Sequence, residues 1–397
     1  MSGRLRVGID ARCAHATGIG RYVRGLTNAL VEHERDLEIV VIANPHGSDP
    51  TAVWDWLEGG DAKDEGRLEV AQFAKPVAPR SFAEQAWLSE VARAKKLDLL
   101  HVPDWNVPLL ARVPLVATFH DATYLRFPDA APSRLASWGA GVFMRQAAKK
   151  AARVLVPSNA ARDEIVEHVR VPEGKLTVVP LFMDEIASWV ERVRRGSCET
   201  VSPRVRELPR FVLYVGTQLS HKRVPTLIRA FKHVKKELGL RELVLAVAGP
   251  PGRGTEECRA AADESVVLLG EVNDRDLGYL YDRAACFATA SANEGFGLAA
   301  LEALAAGTPV VATDIPAHRE VLGDAALLVT PGDEKALQGA LARVLTVEAL
   351  AKDLTRRGPV RASRYRVAET ARATASIYRE VCAGAGVSPA NRTNVTA

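Results

Sequence analysis

The chain has 397 residues, too many for one ordinary hydrophobic core, so two domains are expected. It is 47% hydrophobic and 25% charged, as in soluble globular proteins, and its net charge of +4 is too mild to imply nucleic acid while remaining compatible with anionic ligands or anionic lipid. The five cysteines, at 13, 198, 258, 286 and 382, are scattered without a C-x-x-C pair, which argues against a disulfide framework or a zinc site and suits a reducing cytosol.

From Met1 the chain passes directly into strand-like Leu5-Arg6-Val7-Gly8-Ile9, so no signal peptide is expected, and no apolar run is long enough to span a bilayer. Short apolar runs then alternate with helical patterns. In the first half the runs are 5–9, 37–43, 99–102, 115–119, 154–156 and 176–179. Ile19, Tyr22, Val23, Leu26 and Leu30 fall at helical spacing between the first two. In the second half the runs are 211–215, 243–248, 266–269, 286–289, 310–313 and 326–329. Continuous apolar strands alternating with helices predict parallel sheets covered on both faces, so each half reads as a doubly wound, Rossmann-like α/β domain. Ligands in such sheets bind beyond the carboxyl ends of the strands. Residues 184–209 break the rhythm with Arg192, Arg194, Arg195, Gly196, Pro203, Arg204 and Pro209, and read as a linker between a domain 1–183 and a domain 210–363. A last helix is expected over 364–383, followed by an unstructured tail, 384–397. The sequon Asn391-Arg392-Thr393 in that tail is read as chance.

Glu294-Gly295-Phe296-Gly297-Leu298-Ala299-Ala300-Leu301-Glu302 carries the most chemistry. Two carboxylates flank a Gly-rich turn and the start of a short apolar helix. Such a unit can hold a phosphate at the helix N-terminus and grip sugar hydroxyls with the acids on either side. Gly295 and Gly297 let backbone approach a ligand without a Cβ in the way. Taken alone, the two glutamates also fit the acid/base couple of a glycosidase. The intervening turn, Lys222 in the same half and His120 in the other speak against that. Gly18-x-Gly20, with the next glycine at 25, does not fit the G-x-G-x-x-G of dehydrogenases.

Glu294 to Glu302, running on into Glu-Ala-Leu-Ala and Gly307-Thr308-Pro309-Val310-Val311, resembles the retaining glycosyltransferases of family 4, or group 1. Thr17-Gly18-Ile19-Gly20-Arg21-Tyr22, Thr118-Phe119-His120-Asp121, Tyr214-Val215-Gly216-Thr217, His221-Lys222 and Ala248-Gly249-Pro250 match the family in order and position, so the resemblance covers nearly the whole chain. It implies the GT-B fold: two Rossmann-like domains facing across a cleft, with the final helix returning to the first. The resemblance also implies the site roles. Glu294 lies against the transferred sugar and His120 bonds the sugar or acceptor. Lys222, and less firmly Arg223, grips the diphosphate with the backbone of Gly295, Phe296, Gly297 and Leu298. Glu302 anchors the ribose, and Gly18 and Gly20 face the diphosphate or acceptor. Asp121 either orients His120 or caps the turn after it. The sequence departs from the family where an Arg usually precedes the Lys, at His221, and where some members carry an Arg after the glycine, at Thr217. The phosphate grip therefore rests more heavily on Lys222 and helix termini.

No metal is expected to be required. Asp274-Arg275-Asp276 has a metal-motif pattern but falls at a helix start, where it reads as a cap with N-terminal acids. In 133–153, Leu135, Trp138, Val142, Phe143 and Met144 lie on one side, with Arg134, Arg145, Lys149, Lys150 and Arg153 on others. That reads first as a helix packed on the sheet with a solvated basic face, and second as a peripheral membrane contact. The expected function is transfer of a hexose, with retention, from GDP-mannose or a UDP-hexose to a saccharide or lipid-linked hydroxyl acceptor, in the cytoplasm. The rivals are a nucleotide-sugar 2-epimerase of the same fold and a non-catalytic nucleotide-sugar-binding protein. Oligomeric state is not legible.

Overall fold

The computed structural model describes residues 3–14, 18–43, 56–57, 65–72, 82–131, 133–196 and 201–387. Thr17, Cys198 and the tail from 388, with its sequon, lie outside the described residues. The chain forms two compact units: Met1–Leu125 with Leu135–Phe182 and Arg366–Ala397, and Arg126–Arg134 with Met183–Tyr365.

In the first unit a seven-stranded parallel sheet has the order β3-β2-β1-β4-β5-β6-β7. Its strands are β1 Leu5–Asp10, β2 Leu37–Ala43, β3 Leu68–Gln72, β4 Leu99–Val102, β5 Leu115–Thr118, β6 Arg153–Val156 and β7 Leu176–Val178. The helices are α1 Gly18–His33, α2 Phe82–Ala94, α3 Thr123–Arg126, α4 Arg134–Lys150 and α5 Asn159–Val169. The central strands are buried along their whole length, because parallel strands covered on both faces leave no solvent-facing position, and their polar members His101 and Thr118 bond each other at 2.8 Å. β3 is the strand that the apolar-run reading passes over. It is an edge strand, and its Glu69 pairs with Lys95 at 2.5 Å and with Arg6.

The second unit holds a six-stranded parallel sheet of order β10-β9-β8-β11-β12-β13, the Rossmann sequence of strands. Its strands are β8 Phe211–Val215, β9 Val244–Ala248, β10 Val266–Gly270, β11 Cys286–Ala288, β12 Val310–Thr313 and β13 Leu327–Val329. Its helices are α6 Asp184–Arg194, α7 Pro203–Arg206, α8 Val224–Glu237, α9 Thr255–Ala261, α10 Asp274–Arg283, α11 Leu298–Ala305, α12 Pro316–Leu322, α13 Glu334–Thr346 and α14 Glu348–Ala362. The strand order reverses between β8 and β11, which pair directly. Loops leaving the carboxyl ends of these two strands therefore part to opposite faces, and a ligand can enter between them.

Two stretches differ from expectation. Part of 184–209 is helix: α6 buries Ile186, Val190 and Val193. A Cβ at Gly278 of α10 would meet Trp189 Cβ at 2.7 Å, so the glycine permits the close approach of α6. Ser202 N and Oγ each donate to Asp276 at 2.8 Å, while Asn273 caps α10 through Asp276 N at 2.8 Å. In α4 the small residues Ala140, Gly141, Ala147 and Ala148 make the packed face with Met144, whereas Leu135 and Trp138 are 75% and 66% exposed. The expectation that those two pack on the sheet is corrected. The last helix, α15 Val367–Gly384, belongs to the first unit, packs on α1 and buries Ala371, Thr374, Ala375 and Tyr378.

Candidate functional site

In the second unit the chain leaves β8 through Gly216 and Thr217 into a single 3₁₀ turn, Ser220–Lys222, before α8. It leaves β11 through Thr289 to Gly297 before α11. Backbone and hydroxyl bonds clamp these loops together. Ala292 N donates to His221 O at 2.7 Å, Thr313 Oγ1 donates to Ser291 O at 2.5 Å, and the Thr289 and Ser291 hydroxyls are 3.0 Å apart.

The clamp brings Lys222 Nζ to 2.7 Å from Glu294 Oε2, with both side chains largely buried. Burial alone would raise the Glu294 carboxyl. The charge of Lys222, a nearby His318 and hydrogen bonds from Lys222 and Ser291 outweigh it and hold the group below the ordinary carboxylate range. Glu294 is thus an anion at neutral pH, paired with a cation that an incoming phosphate can take over. Burial, with the Glu294 charge adding to it, pushes the phenol of Tyr214 up, so it stays neutral.

Gly297 is the N-cap of α11 at φ +87°, with no side-chain cap; Ala300 N and Leu301 N both donate to Gly297 O at 3.1 Å, and the N–H groups of Leu298 and Ala299 have no partner within the helix. A Cβ on Gly297 would fall 2.9 Å from His318 Cδ2, so a buried ring occupies the space where a side chain would be. Phe296 turns inward, edge-on to Tyr365 with ring centroids 5.4 Å apart, so its backbone rather than its ring is left to the site. Glu302 is 2% exposed and accepts a hydrogen bond from Tyr281 OH at 2.8 Å. Tyr281 is in turn fixed by Thr308 Oγ1, which donates to its carbonyl at 2.5 Å.

The less firmly assigned residues separate. Arg223 is the αL N-cap of α8 at φ +49°, and its Nη1 reaches toward Gly332 after β13, where an added Cβ would sit 3.0 Å away. His221 is buried, its ring 6.0 Å from that of Phe127, and it contributes its carbonyl to the clamp. Thr217 accepts a hydrogen bond from Leu219 N at 2.9 Å. Arg126 Nη1 donates to Asn293 Oδ1 at 2.8 Å, beside Glu294. Neither Arg126 nor His318 is singled out by sequence pattern.

In the first unit, Gly20 sits where a Cβ would meet Ala14 O at 2.6 Å, so glycine is required for α1 to start against the loop leaving β1. Gly18 is the first residue of that helix, with open space around it. His120 follows β5, and its Nε2 donates to Pro103 O at 3.1 Å. Burial pushes its pKa down although Asp121 and the Pro103 carbonyl work to raise it, so the ring is neutral near pH 7. Tyr22 stands edge-on to His120 at 5.2 Å and bonds Thr118 Oγ1 at 3.0 Å. Thr118 Oγ1 also meets His101 Nε2 at 2.8 Å, and His101 Nδ1 meets Tyr378 OH of α15 at 2.6 Å. Asp121 Oδ1 accepts from Thr123 N at 2.8 Å, the turn-capping option of its two readings. Among the described residues no cluster of His, Cys, Asp and Glu is placed to hold a metal ion.

Residues 201–361 match the family model for glycosyl transferases group 1, and residues 16–185 that for glycosyltransferase family 4. D-inositol 3-phosphate glycosyltransferase of Saccharomonospora viridis is 31% identical over 357 residues, covering 84% of this chain and 79% of that one. O-antigen chain mannosyltransferase B of Escherichia coli is 26% identical over 362 residues, 88% and 92% of the two chains. Sucrose-phosphate synthase of Thermosynechococcus elongatus shares the fold with a TM-score of 0.73 at 19% identity, over 96% of this chain and all of that one. With two parallel Rossmann-like sheets and these matches along its length, the chain belongs to the group 1, family 4 glycosyltransferases of GT-B fold.

Proposed function

We propose that this transferase moves a hexose from a nucleoside diphosphate sugar to a hydroxyl acceptor with retention of configuration, and that it needs no metal ion. The observation that carries the reading is the Lys222–Glu294 pair at the strand-order reversal, beside the uncapped N-terminus of α11. On donor binding the Lys222 ammonium exchanges its carboxylate partner for diphosphate oxygens, and the N–H groups of α11 add a partial positive charge. Glu294 then accepts from the sugar's hydroxyls and steadies positive charge as the anomeric carbon loses its phosphate. The C1–O bond to the diphosphate breaks, and the acceptor oxygen bonds C1 on the same face. The acceptor proton passes to the departing phosphate oxygen. Glu302, held by Tyr281, anchors the ribose, and His120 bonds the sugar or acceptor.

Mannose from GDP-mannose is the first donor to test, in view of the O-antigen mannosyltransferase relative, with UDP-hexoses next. A lipid-linked saccharide acceptor fits the exposed Leu135 and Trp138 of α4, flanked by exposed Arg134. The test is donor consumption by the wild type and by Glu294→Ala and Lys222→Ala. Each variant should fold and lose at least about a hundredfold in turnover, of the order seen when a positioned electrostatic group is removed. Wild-type activity should survive EDTA. A folded Glu294→Ala protein with wild-type rates contradicts the assignment.

A further inference from the structure

His318 has no part in the proposal above, yet it lies at the centre of the site. It sits in α12 and is 1% exposed. Its Nδ1 is 2.7 Å from Thr313 O, and a carbonyl only accepts, so Nδ1 carries the proton. The ring is then held in one orientation, and Nε2 presents a lone pair. That Nε2 makes no hydrogen bond to any described residue, and it lies 3.2 Å from the Cβ position that Gly297 leaves empty. A nitrogen without a protein partner on an otherwise buried ring is completed by water or by a ligand that donates to it. Burial pushes the pKa of His318 down against the opposing pull of Glu294, the Thr313 carbonyl and Asp314, with Lys222 adding to the depression, so the ring stays neutral and Nε2 remains an acceptor near pH 7.

The chemistry of that acceptor selects its partner. Phosphate oxygens only accept, so a neutral Nε2 cannot bond them, and they fall to Lys222 and the N–H groups of α11. A hydroxyl donates. We propose that His318 Nε2 accepts a hydrogen bond from a hydroxyl of the donor's sugar, beside the Glu294 carboxylate, and so takes part in selecting which hexose is transferred. The proposal rests on the nucleoside diphosphate sugar reading.

His318→Asn keeps an amide N–H where Nδ1 stands, able to reach Thr313 O, and deletes Nε2. Calorimetry should show it binding the intact nucleotide sugar about tenfold more weakly, the worth of one hydrogen bond, and the bare nucleoside diphosphate as the wild type does. Equal weakening for both ligands, or for neither, overturns the proposal. If His318→Asn does not fold, monodeoxy donors with the wild type replace it. One deoxy position should cost about tenfold in affinity in the wild type and again in Glu294→Ala, where the carboxylate is gone; uniform binding of all of them, or no such cost in Glu294→Ala, overturns the proposal. A wild type that binds no nucleotide overturns the reading beneath it, which is a different result from a wild type that binds and a variant that binds equally well.

Discussion

At the scale of single residues, backbone conformation separates two positions assigned together to the diphosphate grip. Gly297 at φ +87° faces the His318 ring, so an added methyl group meets both a disfavoured conformation and a neighbour at 2.9 Å. Gly297→Ala should lower unfolding free energy by about 2 kcal/mol, measured by urea titration. Arg223 is the converse, a non-glycine residue at φ +49°. Arg223→Gly should be neutral to stabilising by about 1 kcal/mol, and a donor affinity unchanged in that variant would remove Arg223 from the phosphate grip. Glu294, Lys222 and the glycines were legible because they fall in one string with a physical rationale. His318 was not, since a lone histidine carries no spacing signal. The available cue was Pro316 just beyond β12, which marks a helix start at the carboxyl end of the sheet and places residue 318 in its first turn.

Among elements, the buried chain from Tyr22 through Thr118 and His101 to Tyr378 ties α1, β4, β5 and α15 into one polar network. Burial, with the neighbouring His120 adding a smaller electrostatic effect, pushes His101 down to about 3, so the folded protein keeps it neutral. A histidine in the unfolded chain protonates near pH 6.5. Between those values the unfolded state holds the extra proton, so stability falls on acidification by up to about 1.4 kcal/mol per pH unit from this residue. Urea midpoints of His101→Asn measured from pH 7 to pH 4 should show a shallower decline than the wild type, and parallel curves would contradict the assignment. Central strands were legible as unbroken apolar runs because both their faces are covered. β3 was not, because an edge strand tolerates Glu69 paired with Lys95. The helix α6 was hidden by Arg192, Arg194 and Arg195, although Ile186, Val190 and Val193 already marked its buried stripe. Arg194 itself is committed to Asp282 at 2.7 Å and to Ala306 O at 2.6 Å, the partners that turn an apparent charge run into structure.

For the whole molecule, the mild net charge leaves local features to decide its surroundings. No helix among the described residues is long and apolar enough to cross a membrane. The lipid-linked acceptor proposed above would bring the exposed Leu135 and Trp138, next to Arg134, against an anionic lipid surface. Co-sedimentation with anionic liposomes should be measurable at low salt and weakened in a Leu135→Ser/Trp138→Ser double variant. Retention of binding by that variant would move the contact elsewhere.

The claim on which the rest depends is that a nucleoside diphosphate sugar is the substrate of the site around Lys222 and Glu294. Thermal unfolding in the presence of GDP, UDP, ADP and dTDP and their sugars tests it most directly. One nucleotide at about a hundred times its dissociation constant should stabilise the wild type by about 2.7 kcal/mol, and Lys222→Ala should show little of that shift. A wild type whose unfolding no nucleotide or nucleotide sugar displaces would contradict the account.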